Sequence, residues 1–377
     1  MTFRIAGVEP IRVPVSAKTA WTFLRLRTED GIEGLGECTT DADEPLAVPL
    51  VRQLAEKLAG EDAGAVTRLT WSAERHRHGK LGEAVLSALE QALWDVQARR
   101  AGVPVTALFG GPMRPAVRYY ANINRGTRDR TPAGWRRRAA EARARGMTAL
   151  KMAPFDDVRW AEAGARDQRR LIAHGIEVTA AVRDEIGPEM DLLVDCHWRF
   201  SEAETARLIL ELAPLRLFWL ECPVTETATD LAAVRRLKDL AHARGMRLAG
   251  GERLFGLNNF RPMIEEQAVD VVMPDVRFVG GFAEAVRLGF YAAGAGVEYS
   301  PHNPSGPVLD DVSHALSTVV PSLLILEHQF AEDPLFDELV ERRNPAIENG
   351  WRKAPTAAGW GVTLRDEVLR SVPGAVW

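Results

Sequence analysis

Leu192-Leu-Val-Asp195, Leu217-Phe-Trp-Leu-Glu221 and Leu248-Ala-Gly-Gly-Glu252 are three apolar runs of strand length, each closing on a carboxylate. The acids lie 26 and 31 residues apart, about the length of one strand-plus-helix unit, so successive parallel strands would bring their carboxyl ends to one place. Three anions sharing a buried point require a cation, because an unpaired buried charge is costly. Oxygen-only ligands favour a hard divalent ion, and magnesium suits a reaction because it keeps water positions that a substrate can take. Any one of these acids alone could instead cap the next helix or pair with an arginine. Three in consecutive units argue for the metal.

Working outward, strand candidates occur at Val117–Ala121, Thr148–Met152, Asp191–Asp195, Leu217–Glu221, Arg247–Gly250, Ala268–Val272, Gly296–Ser300 and Leu323–Glu327, alternating with amphipathic helical stretches. About eight such units in roughly 210 residues predict a (β/α)-barrel, a modified TIM barrel of about (β/α)7β, since the last unit lacks a full closing helix. Ahead of it, Phe3 to Cys38 carries strand-like alternation, as in Trp21-Thr-Phe-Leu-Arg-Leu-Arg, with a turn at Glu29-Asp-Gly-Ile. Helical patterns then run to about Arg100, and Gly110-Gly-Pro-Met-Arg-Pro marks a boundary. The expected division is an α+β capping domain at 1–113, the barrel at 114–335, and a segment at 336–377 that returns to the cap.

Composition agrees with this division. A chain of 377 residues, 46% hydrophobic and 26% charged, buries a large core but exceeds one average domain. A net charge of -5 with both signs interspersed offers no basic face for nucleic acid. Met1 to Ile11 carries Arg4 and Glu9 and does not read as a leader, and no run of about eighteen uncharged apolar residues occurs, so the expectation is a cytoplasmic protein without membrane partners. Cys38, Cys196 and Cys222 are odd in number and lack CxxC spacing, which reads as free thiols rather than disulfides or zinc ligands.

In a barrel, chemistry sits at the carboxyl ends of strands. Lys151 ends Ala149-Leu-Lys, Asp275 follows Val271-Val-Met-Pro, His302 follows Glu298-Tyr-Ser-Pro, and Glu327 ends Leu323-Leu-Ile-Leu. Lys151 could act as a base if desolvated, or simply snorkel at a strand end. Period-two geometry puts Asp195 and His197 on one face, with Cys196 turned into the sheet–helix layer.

These residues, together with Gly31-Ile-Glu-Gly-Leu-Gly-Glu37, Leu86-Ser-Ala-Leu-Glu-Gln-Ala-Leu-Trp-Asp95, Gly102-Val-Pro, Leu108-Phe-Gly-Gly111 and Gly359-Trp-Gly-Val, resemble the mandelate racemase branch of the enolase superfamily over nearly the whole chain. That superfamily is known for a Lys or His base acting with magnesium that stabilises an ene-diolate. The resemblance implies one Mg²⁺ on Asp195, Glu221 and Glu252, His302 as base held by Asp275, and Glu327 as a protonated or proton-sharing group on the substrate carboxylate. Trp21, Asn303 and Glu327 are the expected substrate contacts.

Racemases and cycloisomerases of this branch carry Lys-x-Lys at the second strand, whereas this chain reads Lys151-Met152-Ala153. It has Asp195-x-His197 instead, a pattern similar to galactonate and mannonate dehydratases, in which the histidine protonates the departing β-hydroxyl. The resemblance therefore implies a sugar acid dehydratase giving a 2-keto-3-deoxy acid. A racemase or epimerase using Lys151 or His197 as second base, and a catalytically silent metal-binding scaffold, are the alternatives. Loops near 15–25 and 40–45 would close over the substrate. Their Trp21, Asp41, Asp43 and Glu44 lean toward a polyol tail, hence a monoacid. The family also implies an even-numbered homo-oligomer.

Overall fold

The computed structural model describes residues 3–16, 19–40, 46–71, 79–159, 165–227 and 229–376. The alternating N-terminal segment forms an antiparallel sheet, β1 (Ile5–Pro14), β2 (Ala20–Thr28) and β3 (Glu33–Glu37), in the order β1-β2-β3. The turn between β2 and β3 uses Gly31 at φ 85°, a conformation glycine adopts without a Cβ penalty. Helices α1 (Ala47–Leu58), α2 (Val66–Thr70) and α3 (Gly79–Ala101) follow. A Cβ at Gly34 would fall 2.1 Å from the Ala92 carbonyl oxygen, and one at Gly36 1.9 Å from that of Ala88. Those two glycines let β3 lie directly on the backbone of α3.

The same contact explains the second motif. β3 is an edge strand, and its outward N–H groups need partners. Leu35 N–H donates to Asp95 Oδ2 and Glu37 N–H to Gln91 Oε1, each at 3.0 Å, so α3 supplies acceptors in place of a fourth strand.

The barrel strands are β4 (Ala116–Asn122), β5 (Ala149–Met152), β6 (Asp191–Asp195), β7 (Trp219–Glu221), β8 (Arg247–Gly250), β9 (Val271–Val272), β10 (Glu298–Tyr299) and β11 (Leu326–Gln329). They run parallel in the order β10-β9-β8-β7-β6-β5-β4-β11, and a bridge from Tyr299 to Leu323 closes the ring. The connecting helices are α4 (Pro132–Ala144), α5 (Ala165–Ile186), α6 (Glu202–Leu212), α7 (Leu231–His242), α8 (Leu257–Glu265), the single turn α9 (Val276–Val279), α10 (Phe282–Gly294) and α11 (Pro307–Val319). Each packs by one stripe. In α6 the buried residues Thr205, Leu208, Ile209 and Leu212 follow helical spacing, and a Ser201/Glu204 capping box starts the helix. After β11 comes only the four-residue α12 (Leu335–Glu338), which makes the barrel (β/α)7β.

The last strand differs from the sequence reading. Its apolar run divides, Leu323 bridging to Tyr299 while the ladder with β4 begins at Leu326 opposite Tyr119. Glu327 is consequently the second residue of β11 rather than the end of its strand.

Inside the ring, Tyr120, Ala149, Leu193, Trp219, Ala249, Val271, Met273 and Ile325 form one buried apolar cluster. Side chains alternate along a strand, so the residue two positions on points into the same lumen one layer higher. That step leads to Asn122, Lys151, Asp195, Glu221, Asp275 and Glu327. In β8 the residue two beyond Ala249 is Gly251 at φ 99°, and this break in the alternation brings Glu252 inward instead.

The C-terminal segment adds β12 (Val340–Arg342) paired with β14 (Val362–Leu364), while β13 (Trp351–Lys353) pairs antiparallel with β4. Trp360 Nε1 donates to the carbonyls of Leu35 and Gln91 at 3.1 Å. Asp366, which opens α13 (Asp366–Ser371), binds Arg25 at 2.5 Å, and Val376 bridges to Arg12. From the cap, buried Glu37 accepts the N–H groups of Gly306 (2.6 Å) and Leu309 (2.9 Å) at the start of α11. The cap is thereby tied to the barrel rim. No helix among the described residues is long and apolar enough to cross a membrane.

Candidate active site

Asp195, Glu221 and Glu252 come together at the mouth of the barrel, offering ligand atoms that all lie within 4.8 Å of one another. Asp195 and Glu221 face each other across the β6–β7 ladder. Lys151 Nζ reaches into the group, 2.6 Å from Glu221 Oε1, 3.0 Å from Glu327 Oε1 and 4.0 Å from Asp195 Oδ2. Burial opposes its charge, yet Glu221 and Glu327 raise the Lys151 pKa well above the usual lysine value. The ammonium is held between Glu221 and Glu327 in this arrangement.

Three carboxylates share this ammonium, with Glu252 beside them, and the crowding shows on Glu221. Burial, then the charges of Asp195, Glu252 and Glu327, push its carboxyl well up despite Lys151. Glu221 Oε1 and Oε2 are taken by Lys151 and Trp219 Nε1, and Asp195 Oδ1 by the His197 N–H. Glu252 Oε2 is buried without a hydrogen bond among the described residues. Three clustered oxygen donors and surplus negative charge are what a hard divalent cation would satisfy.

His302, beyond the end of β10, borders the carboxylate cluster at Glu252. Its Nδ1 lies 2.8 Å from Asp275 Oδ2 and its Nε2 3.1 Å from Glu252 Oε2. Burial would raise the Asp275 carboxyl, but Arg277 and His302 hold it far below the usual range. Arg277 Nε and N–H both donate to Asp275 Oδ1, at 2.8 and 2.9 Å, and Arg277 also donates to the Thr39 carbonyl of the cap.

His197 faces the cavity, as the alternation argument expects, but by another route. β6 ends at Asp195, and His197 and Trp198 take the left-handed conformation at φ 45° and 57°, a strained state concentrated at functional sites. Its Nδ1 lies 2.6 Å from Asp156 Oδ1 and its Nε2 3.0 Å from Asp195 Oδ2. Burial opposes charge on the ring, yet Asp195 and Asp156 raise its pKa well above the imidazole range.

Several expectations meet a different geometry. Glu327, expected as a protonated or proton-sharing group, is buried, yet Lys151 and His302 draw its carboxyl below the usual value. Asn303 does not face a ligand. It is buried, its N–H donating to Glu327 Oε2 at 2.8 Å, its Nδ2 to the Glu327 carbonyl and to Asp310, and its Oδ1 accepting from Ser313. Trp21 belongs to β2 rather than a loop, is 1% exposed and meets Phe336 edge-on, away from the cavity. Strand β2 takes up most of the loop foreseen at 15–25. Asp41, Asp43 and Glu44 lie outside the described residues.

The structure also adds residues that the sequence reading passed over. Asp156, on the turn after β5, is the second partner of His197. Asn122 ends β4 and donates to Glu327 Oε1 at 2.7 Å. Asn122 was detectable by the strand-end rule applied to the carboxylates, while Asp156 carried only the weaker signal of an acid in a βα loop. The cavity over these groups measures about 1230 Å³.

Two family models match the chain: the mandelate racemase/muconate lactonizing enzyme N-terminal domain over residues 5–110 and the enolase C-terminal domain-like model over residues 134–368. Among curated relatives, a D-galactonate dehydratase of Ralstonia pickettii is 29% identical over 93% of this chain and 90% of its own. A D-gluconate dehydratase of Thermoproteus tenax is 30% identical over 92% of this chain and 68% of its own. Among solved structures, a mandelate racemase/muconate lactonizing enzyme-like protein from Rubrobacter xylanophilus superposes with a TM-score of 0.86 at 29% identity, covering 97% of this chain and 96% of that one.

Proposed function

The chain belongs to the mandelate racemase/muconate lactonizing enzyme branch of the enolase superfamily, and from that premise we propose that it is a magnesium-dependent acid-sugar dehydratase. The observation that carries this reading is the pair of histidines on the cavity wall, His302 held by Asp275 and His197 held by Asp156. One can take a proton and the other can give one. The curated relatives named as D-galactonate, D-gluconate and D-xylonate dehydratases support the same chemistry.

Magnesium on Asp195, Glu221 and Glu252 would stabilise the negative charge that develops on the substrate carboxylate as its α-proton leaves. Asp275 can only accept a hydrogen bond, so it fixes the His302 proton on Nδ1 and leaves the Nε2 lone pair to take the α-proton. The electrons of the broken C–H bond move toward the carboxylate, then return to form a double bond as the β-C–O bond breaks. His197 supplies a proton to that oxygen, so water departs instead of hydroxide. The resulting enol tautomerises to a 2-keto-3-deoxy acid. Lys151, Glu327 and Asn122 form the rigid polar floor that fixes where the carboxylate and its ligands sit.

A racemase or epimerase would use Lys151 or His197 as its second base; the ion pairs of Lys151 with Glu221 and Glu327, at 2.6 and 3.0 Å, favour the dehydratase over a Lys151-dependent epimerase. The test is to incubate the magnesium-loaded protein with aldonic and aldaric acids of varied configuration and detect 2-keto product. Deuterium uptake at the α-carbon without keto product from any of them would transfer the protein to the epimerases. The same reading includes a cytoplasmic setting and an even-numbered homo-oligomer, which fractionation and light scattering check directly.

A further inference from the structure

Within the cavity, Arg128, Arg159, Arg199 and Arg253 line the wall without a carboxylate partner among the described residues. They enter from different connections: Arg128 follows β4, Arg159 follows β5, Arg199 lies two residues beyond His197, and Arg253 directly follows Glu252. Strands β6 and β8 flank β7, so Arg199 and Arg253 stand on the same stretch of rim as the metal-ligand carboxylates.

Two details bear on the availability of Arg253 and Arg199 to a ligand. The Arg253 guanidinium carbon sits 3.7 Å over the centroid of the Trp198 ring, and Trp198 is anchored by its Nε1 donating to Glu226 Oε2 at 3.3 Å. Stacking uses the face of the guanidinium and leaves its in-plane N–H fork free for a planar or tetrahedral oxyanion. The Arg199 backbone N–H donates to the Cys196 carbonyl at 3.1 Å, but its side chain makes no hydrogen bond or ion pair among the described residues, and its Nε is without a partner. The partly exposed guanidinium thus has no anion beside it among the described residues, and an oxyanion in the cavity would supply one. The α-carboxylate of the substrate, by contrast, would be held through the magnesium that Asp195, Glu221 and Glu252 would bind.

We propose that this arginine wall, with Arg199 and Arg253 at its centre, binds a second anionic group at the far end of the substrate, so that the preferred acid sugar is a dianion rather than the simple aldonic acid that the acidic loop residues suggested. The inference rests on the acid-sugar reading above and narrows its substrate. The second anion is a terminal carboxylate, as in an aldaric acid, or a terminal phosphate, as in an ω-phosphorylated aldonic acid. Guanidinium forks bind both.

The experiment compares kcat/KM of the magnesium-loaded protein for aldonates, aldarates and ω-phosphoaldonates across a panel of configurations, with 2-keto product as readout. At matched configuration one dianionic class should exceed the aldonate by about tenfold to a hundredfold, the range of a charge-assisted pair, and which class wins identifies the anion. Arg199→Gln and Arg253→Gln should each pull the dianion-to-aldonate ratio toward one, mainly through KM, while Arg253→Lys retains part of it. Arg253 is exposed, so its variants keep the test usable if Arg199→Gln fails to fold. Aldonates turned over as well as or better than both dianions would overturn the proposal and leave the dehydratase reading intact. An unchanged ratio in all three variants would also overturn it. Dehydration of no acid sugar would remove both readings.

Discussion

His302 donates its Nδ1–H to Asp275 Oδ2 at 2.8 Å, and that one bond decides which nitrogen of the ring is left to do chemistry. Asp275 is itself locked by the Arg277 guanidinium, so the imidazole is oriented by a carboxylate that can neither rotate nor take up a proton near neutrality.

His302→Asn should abolish both α-proton exchange and dehydration while leaving fold and metal affinity intact. Asp275→Asn should be active at a reduced rate but less stable, because Arg277 loses its carboxylate in a buried setting. Removing one partner of a buried ion pair costs about 3–5 kcal/mol. Deuterium exchange followed by NMR and urea unfolding separate the two effects. Exchange at wild-type rate in His302→Asn would move the base elsewhere.

For the metal, EDTA should eliminate activity and Mg²⁺ restore it, with thermal stability rising as magnesium is added because only the folded chain presents the site. Glu221→Gln should weaken binding by removing one of three anionic ligands, measurable by calorimetry. Lys151→Met should destabilise the metal-free protein more than the loaded one, since Glu221 and Glu327 then lose the one ammonium between them. Equal destabilisation in both states would show that magnesium and Lys151 do not compensate the same charges.

The carboxylates were readable because strand alternation and unit spacing are local properties: Asp195 and Glu221 follow Leu193 and Trp219 by two residues, and that step is visible in the sequence. What local pattern could not supply was the direction of groups whose partners lie far along the chain. Trp21 alternates as a strand residue should, but its neighbour Phe336 is more than three hundred residues away and draws it into the core. Asn303 adjoins His302 yet turns inward because Glu327 and Asp310 need its donors. Asp156 and the cavity arginines sit in loops, where no periodicity constrains orientation.

Asp310 offers a pH test away from the catalytic groups. Burial opposes its charge, but His328, Arg352 and Arg342 hold its carboxyl far below the usual range. A carboxyl depressed in the folded chain contributes stability that is complete above its unfolded value, near pH 4, and is lost as pH falls below it. Asp310→Asn should therefore lower stability at neutral pH and flatten the acid limb of the stability curve. Since Asn303 donates to both Asp310 and Glu327, it should also loosen the site floor. An acid limb unchanged from wild type would mean the pairing adds nothing to folding.

The dehydratase reading itself turns on His197. Hydroxide is a poor leaving group, so the departing oxygen needs a proton at the moment the β-C–O bond breaks. The ring is oriented for this by Asp156, 2.6 Å from Nδ1, with Nε2 directed toward the Asp195 side of the cavity at 3.0 Å. His197→Gln should block water loss yet spare α-proton exchange, because His302 and its aspartate are untouched. Asp156→Asn should slow water loss less severely, since it misorients the ring without removing it. A substrate carrying fluoride at the β-carbon supplies the decisive comparison, for fluoride leaves with little help from a proton. Elimination of fluoride should be largely preserved in His197→Gln while elimination of hydroxide is lost. If both fall together, His197 does not deliver the proton, and the choice of dehydratase over epimerase loses its structural basis.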